Sequence, residues 1–279
     1  MDSLDDFFAY DQLTYRPLAN LGWEVDEISW RDEEACWDDY DLVVIRSPWD
    51  YQSDPERFVK VLQNIDRSEA RLENNLQVVL WNINKTYLRD LESRGVTIVP
   101  TKWLSPLTRD GLEQAFAELC VDQIVVKPTV GANADDAFWL RADALPREFD
   151  IVEKTFAGRS SLVQPFVQSV VDEGEFSLFY FGSVYSHCIL KSPKSGDFRV
   201  QEEHGGTIRS TEPQRDLLVA GNKALTAIED DTLYARVDLV RLPDGRPAVM
   251  ELELIEPSLY FPNDAKAPDR FAQALNSLF

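Results

Sequence analysis

Apolar positions along the chain recur in two periods, and together they predict alternating helices and strands. Residues Leu13 to Leu21 carry helical spacing and run into Gly22, a residue suited to a helix C-terminus. A short strand is predicted over Glu24–Ile28. The unbroken run Leu42-Val43-Val44-Ile45 reads as a buried strand that opens into Arg46-Ser47-Pro48-Trp49-Asp50-Tyr51. Asp54 then caps a helix with Pro55 in its first turn and Phe58, Val61, Leu62 and Ile65 as its apolar side. Strand, loop and helix in this order predict an open α/β layer with a functional loop at a strand's carboxyl end.

A second unit begins near Asn84-Lys85, with a helix through Leu88 and Leu91 that ends around Gly95. It continues with a strand over Val96–Val99, a helix from about Asp110 to Cys120, and the strand Ile124-Val125-Val126 leading into Lys127-Pro128. A further strand, Phe138–Leu140, and a helix reaching Phe156 complete a small α+β lobe. Strand signals dominate after that, at Leu162–Pro165, Glu175–Phe181, Val184–Leu190, Tyr234–Val240 and Ala248–Ile255. Gly182 separates two of these strands as a hairpin turn, and helices are predicted over Gln214–Ile228 and Asp269–Leu278. The expected division is 1–82, 83–163 and 164–279, an α/β domain followed by two α+β lobes.

Composition narrows the function. With 279 residues, 44% of them hydrophobic, and 7 Trp, 9 Tyr and 15 Phe, the chain can offset its conformational entropy by burial. A formal net charge of −21 repels phosphate backbones and anionic lipid. That sets aside nucleic-acid and membrane partners, but not a nucleotide held by a few clustered Lys and Arg. Cys36, Cys120 and Cys188 are far apart and form no CxxC pair, so neither a zinc site nor a disulfide framework is expected. Cys120, in an apolar helical stretch, reads as a core residue. His187 and His204 are the only histidines, a poor basis for a His-based metal site or triad. No apolar run has bilayer length and the N-terminus is acidic, so a soluble cytoplasmic protein is expected.

The last strand pair carries the strongest chemical signal. Asp238 lies in Tyr-Ala-Arg-Val-Asp-Leu-Val, while Glu251 and Glu253, two apart on a strand, project to one side. The turn Leu242-Pro243-Asp244-Gly245 would fold their strand back beside the first, bringing three carboxylates together among Leu, Val and Ile. Such a cluster needs balancing cations, and magnesium takes carboxylate oxygens while leaving positions open for phosphate. An edge hairpin whose acids face water is the alternative. Lys127, ending an apolar strand, and Lys85, starting a helix, could each reach nucleotide phosphates or stand as solvated tips.

The strand Leu162-Val163-Gln164-Pro165-Phe166-Val167 opens into Asp172-Glu173-Gly174-Glu175 and would suit adenine and ribose. An ordinary strand followed by an acidic turn is the plainer reading. Lys191 and Arg199 belong to the most basic stretch of the chain, Leu-Lys-Ser-Pro-Lys-Ser-Gly-Asp-Phe-Arg-Val-Gln. Gly205-Gly206 follow it and let backbone approach a ligand closely. That stretch would suit a transferring phosphoryl group.

In order, Lys85, Lys127, Gln164-Pro165-Phe166-Val167, Glu175, Arg199, Asp238 and Glu251-x-Glu253 resemble the ATP-grasp superfamily from about Asn84 to the C-terminus. Arg46 to Tyr51, Gly196-Asp197-Phe198-Arg199-Val200-Gln201 with Gly205-Gly206, and Glu251 to Ser258 are similar to its glutathione-synthetase and RimK-like branch. Within that branch they look most like the D-cycloserine ligase type. The resemblance implies an α/β protein with α+β lobes: an ATP-grasp fold behind an N-terminal α/β domain. It further implies that a carboxylate takes the γ-phosphoryl group of ATP and that an amine displaces phosphate from the acyl phosphate.

Carried over by position, Lys85 and Lys127 would hold phosphates, and Gln164 and Val167, with Phe166 between them, adenine. Asp172 or Glu173 would meet ribose, with Glu175 in the same nucleotide site. Asp238, Glu251 and Glu253 would hold magnesium, for which manganese can stand in. Arg199 would stabilise the acyl phosphate beside Lys191. Arg46, Trp49 and Tyr51, with Gly205 and Gly206, would meet an amino-acid-like carboxylate and an amine. The likeness also allows a homodimer.

Three departures from the family pattern set further expectations. Glu253 stands where the metal motif often has Asn, and can still ligate magnesium. The loop Thr129 to Asp135 has one glycine where relatives often have a glycine-rich flap, which weakens the expectation of closure over the γ-phosphate. Relatives begin with a strand ahead of the segment matching Asp2 to Tyr10, and no residues stand here for it. The expectation is either a truncated start or a first domain without that edge or central strand, its first strand missing. A carboxylate–amine ligase is the leading reading. A phosphotransferase on the same fold and a nucleotide-binding regulatory protein without turnover are the others. The Asp238, Glu251 and Arg199 positions speak against the last, since binding alone tolerates their loss.

Overall fold

The structure, a computed structural model, describes residues 1–4 and 7–279. The N-terminal α/β layer is present in reduced form. Helix α1 (Tyr15–Asn20) follows a 3₁₀ turn and stops before Gly22, whose φ of +91° ends it as predicted. Strand β1 (Leu42–Val44) leads through α2 (Pro55–Arg67) to β2 (Arg71–Glu73), which pairs with it in parallel. The Asp54 side chain caps α2 by accepting from the Arg57 N–H at 3.2 Å. The strand expected at Glu24–Ile28 does not form: that segment has no backbone ladder among the described residues, and this sheet has two strands. β1 is consequently half-buried rather than buried, because only β2 covers its edges.

Two short helices follow, α3 (Leu76–Asn82) and α4 (Tyr87–Ser93). The expected strand at Val96–Val99 is reduced to a single bridge, Ile98 to Val249. The small lobe comprises β3 (Lys102–Leu104), α5 (Arg109–Leu119), β4 (Gln123–Pro128), β5 (Phe138–Arg141), α6 (Leu145–Thr155) and β6 (Ser161–Pro165). Its antiparallel sheet has the order β3-β6-β4-β5. Ile124, Val126 and Val163 point at α5 and α6, where they meet Leu112, Phe116, Phe149 and Val152. Alternation therefore turns Val125, Lys127 and Gln164 to the opposite face. Cys120 is not a core residue: it is exposed and takes a left-handed conformation (φ +55°) that terminates α5.

The remainder runs α7 (Ser169–Asp172), β7 (Glu175–Phe181), β8 (Val184–Ser192), β9 (Thr207–Ser210), α8 (Arg215–Thr226), β10 (Tyr234–Arg241), β11 (Pro247–Glu253) and α9 (Ala267–Asn276). Its antiparallel sheet has the order β11-β10-β7-β8-β9. Every residue of β7 is buried because helices cover both faces. Phe176, Leu178 and Tyr180 pack with α8 on one face, while Phe179 and Phe181 pack with α9 and Leu18 of α1 on the other. Helix α4, expected in the small lobe, lies on this larger sheet: Tyr87, Leu88 and Leu91 pack against Leu178, Val237 and Leu252. Among the described residues, no helix is long and apolar enough to cross a membrane.

Candidate active site

The face of the large sheet that carries Phe179 and Tyr234 is apolar only at one end. On β10, residues of the same parity run Tyr234, Arg236, Asp238; on β7 they run Phe179, Ser177, Glu175; on β8, Ile189 and Lys191. The register places Asp238 opposite Glu251, and Arg236 opposite Glu253, on β11. Asp238, Glu251 and Glu253 therefore share one face, at the end of the sheet that borders a cleft between the lobes, but among the described residues no three such acids come close enough together to hold a metal ion.

These acids do not stand alone. Asp238 accepts from Ser177 Oγ at 2.5 Å, from Lys191 Nζ at 3.1 Å, and from Arg236 Nε and Nη2 at 3.0 to 3.2 Å. Lys191 also pairs with Glu175 at 2.5 Å, Arg236 with Glu253, and Lys85 with Glu251. Burial works against the Asp238 anion, but Arg236 and Lys191 outweigh it and hold its pKa below the usual carboxylate range. Burial likewise works against the Lys191 ammonium, and Asp238 with Glu175 more than restores it. Glu251 is lowered by Lys85 and Lys127 in spite of burial. Burial prevails at two other carboxyls, raising Glu253 to about 7 and Glu256 to about 8.

The small lobe supplies the other wall. Lys127, on the face of β4 turned away from α5 and α6, has Gln164 Oε1 at 3.4 Å and Met250 Sδ at 3.6 Å as its contacts, and no carboxylate among them. Burial pulls its pKa down. Gln164, Phe166 and Val167 line the same cleft, with the Phe166 ring stacked on Trp139 at 4.4 Å. The loop after β4 lines it too, through Gly131 to Asp135. Asn133 and Ala134 adopt positive φ there, so the bends that glycines were expected to supply are made by other residues. Asn133 also offers its carbonyl to the His204 ring at 3.2 Å, tying this loop to the segment that carries Arg199.

Trp49 and Tyr51 reach the cleft from the N-terminal domain; the Trp49 indole donates to the Glu256 carbonyl at 2.8 Å. Arg46 does not reach it. Its guanidinium meets Asp11 and the Pro257 carbonyl, both at 2.9 Å, and so fastens the first domain to the turn after β11. Asp172 and Glu173 also lie outside, turned away by α7; Asp172 accepts from Gln168 and Glu173 pairs with Arg241 at 3.4 Å. Gly205 and Gly206 serve their own loop rather than the cleft. A Cβ on Gly206 would sit 2.1 Å from the Val200 carbonyl oxygen, and Gly205 ends a 3₁₀ turn at φ +82°. Arg199 lines the cleft, paired with Asp197 at 2.7 Å.

Two residues escaped the sequence reading. Arg236 is the principal partner of Asp238, and its place two positions earlier on the same strand was the available signal. Glu256 lines the cleft beside Tyr51, beyond the strand whose alternation drew attention to Glu251 and Glu253. Glu251 and Glu253 each have only Oε1 engaged among the described residues, by Lys85 and Arg236 respectively. One oxygen of each is thus free for a hard divalent cation, whereas both Asp238 oxygens already accept hydrogen bonds.

Comparison with known proteins identifies the family. A family model described as the N-terminal domain of D-cycloserine synthetase DcsG matches residues 1–74. The cycloserine biosynthesis protein DcsG of Streptomyces lavendulae is 32% identical over 91% of this chain and 89% of its own length. The crystal structure of D-cycloserine synthetase DcsG superposes with a TM-score of 0.87 at 29% identity, covering 96% of this chain and 93% of that one. The ATP-grasp ligase PsnB, at 18% identity, shares the fold with a TM-score of 0.70 over 99% of this chain and 97% of its own, and has also been solved with magnesium and ADP. The chain belongs to the ATP-grasp ligases of the D-cycloserine synthetase type, ATP-dependent enzymes that join a carboxylate to an amine.

Proposed function

We propose that the cleft binds MgATP between the two lobes and activates an amino-acid-like carboxylate as its acyl phosphate, for capture by an amine. The observation that carries this reading is Lys127: an ammonium in the cleft wall, depressed by burial, with no carboxylate contact. A buried cation in that state has anions near it but none in direct contact, and a nucleotide phosphate supplies one. Lys85, held by Glu251 in the free chain, is the second phosphate ligand. Gln164, Phe166 and Val167 meet adenine, and Glu175, at the start of β7, faces the same nucleotide site.

Glu251 and Glu253 would hold magnesium through their free oxygens, with Asp238 as the buried anion behind them; manganese, another hard cation, suits the same oxygens. The metal, when bound, neutralises charge on the phosphate oxygens. Arg199 sits over the transferring group, and Lys191, locked between Glu175 and Asp238, keeps the acids in place rather than touching substrate. Trp49 and Tyr51 form the substrate wall, with the half-buried Glu256 carboxyl lining the cleft on the side of the amine partner. Thermal unfolding with ATP, with magnesium and with both tests the nucleotide site: a rise in Tm that needs both supports it, and none at millimolar MgATP removes it. ADP release across a panel of amino acids and their derivatives then tests the substrate class.

A further inference from the structure

The Asp197 carboxylate is saturated by the two residues that follow it. Oδ1 accepts from the Phe198 N–H at 2.7 Å, the Arg199 N–H at 3.0 Å and Arg199 Nε at 3.1 Å; Oδ2 accepts from Arg199 Nη2 at 2.7 Å. The two backbone bonds fix the carboxylate, and the side-on pair fixes the plane of the guanidinium. The Asp197 N–H in turn donates to the Lys194 carbonyl at 2.9 Å, so the clamp is built into a closed turn. Hydrogen bonding to Arg199 holds the Asp197 pKa far below the usual carboxylate range, and the contact persists at neutral pH. Arg199 lines the cleft and Asp197 does not. Of the five guanidinium donors, the three left over make no hydrogen bond among the described residues.

An arginine on a loop gives up rotamer freedom when it is ordered. Ordering it before the ligand arrives removes that cost from binding. We propose that Asp197 is a positioning residue that pre-sets Arg199 for the terminal phosphoryl group of the nucleotide. The inference rests on the reading of Arg199 as the cation over that group.

The test is calorimetric binding of MgADP and of the non-hydrolysable analogue MgAMPPNP to the full chain, with Asp197→Ala, Arg199→Ala and the double variant. Asp197→Ala is expected to weaken MgAMPPNP about ten-fold, the cost of ordering Arg199 only once the ligand arrives, and to leave MgADP within about two-fold. The double variant is expected to be no weaker than Arg199→Ala alone, since Asp197 acts only through Arg199. An unchanged ratio overturns the inference, and so does a tightened one, which would mean that Asp197 sequesters the arginine. Losses that multiply in the double variant overturn it as well. Should Asp197→Ala melt early, Asp197→Asn keeps an acceptor for the two backbone N–H groups and gives the same reading. If the unaltered chain binds neither nucleotide, the nucleotide reading itself falls and takes this inference with it.

Discussion

Replacing Arg236 by methionine probes how the acid cluster is held. Methionine retains much of the stem and removes the guanidinium. That group is 9% exposed, meets Asp238 through three contacts of 3.0 to 3.2 Å, pairs with Glu253 and donates to the Ser258 carbonyl at 3.3 Å. Without it, Asp238 keeps Lys191 and Ser177, but Glu253 loses its ion-pair partner. Breaking one side of a buried ion pair costs about 3–5 kcal/mol. Glu253 already has its pKa raised to about 7 and can stay protonated, which moves the expected loss to the lower end, about 3 kcal/mol. For 279 residues, each contributing about 2.1 cal/mol/K of unfolding entropy, that is a fall in Tm of roughly 5 °C. The assay is thermal unfolding at neutral pH with and without magnesium chloride. Millimolar magnesium is expected to recover part of the loss, because the freed carboxylates then bind a divalent cation in the folded state only. A variant as stable as the unaltered chain would refute the balancing role of Arg236. A loss that magnesium leaves untouched would refute the divalent site.

Lys127→Met is expected to abolish the Tm rise produced by MgATP while leaving the free chain as stable or more so, since its ammonium is buried without an ion-pair partner; the same thermal assay checks both halves. Glu253 and Glu256 have folded pKa values of about 7 and about 8 against an ordinary 4.5, so the folded chain binds protons that the unfolded chain has released. Stability from these groups is therefore highest at low pH and declines as pH rises toward 8. His187, lowered to about 4 from 6.5, adds stability as pH rises, but only below about 6.5. Between pH 6.5 and about 8.5 the Tm of the free chain should fall, and Glu256→Gln should flatten that fall; a flat or rising profile in the unaltered chain would contradict the assignment. Gly206→Ala should distort the loop carrying Arg199, with activity down on the order of a hundred-fold and a small change in Tm. Limited proteolysis of residues 193–206 reports the distortion independently.

Much of the site could be read in advance because strand periodicity is local. Alternation on β11 put Glu251 and Glu253 on one side, and a short turn was enough to lay them beside Asp238. Pairing across sheets and lobes is not local, and that is where the reading stopped. The spacing of Leu88 and Leu91 specifies a helix but not which sheet it covers, so α4 was placed in the wrong lobe. Residues 24–28 have strand composition, yet a strand exists only with a partner for its backbone groups, and the described residues offer none. Asp172 and Glu173 were turned aside by a helix of four residues, too short to leave a periodic signal.

The larger gap concerned charge. Three acids on apolar strands demand cations, which the sequence alone assigns to magnesium and to Lys85 and Lys127. The structure pairs one of those lysines, Lys85, with Glu251, and supplies the rest from the same sheet: Arg236 and Lys191 for Asp238, and Arg236 for Glu253. This has a consequence for how ligands enter. If nucleotide phosphate is bound by Lys85, as proposed, it shares that ammonium with Glu251 and so weakens the charge balance of a buried carboxylate. A divalent cation on the free oxygen of Glu251 removes that cost, but the same cation without phosphate is repelled by the Lys85 ammonium beside it. Each ligand thus meets an obstacle that the other clears, and the free-state pairing of Lys85 with Glu251 is the physical reason to expect ATP and magnesium to stabilise the chain together far more than either does alone.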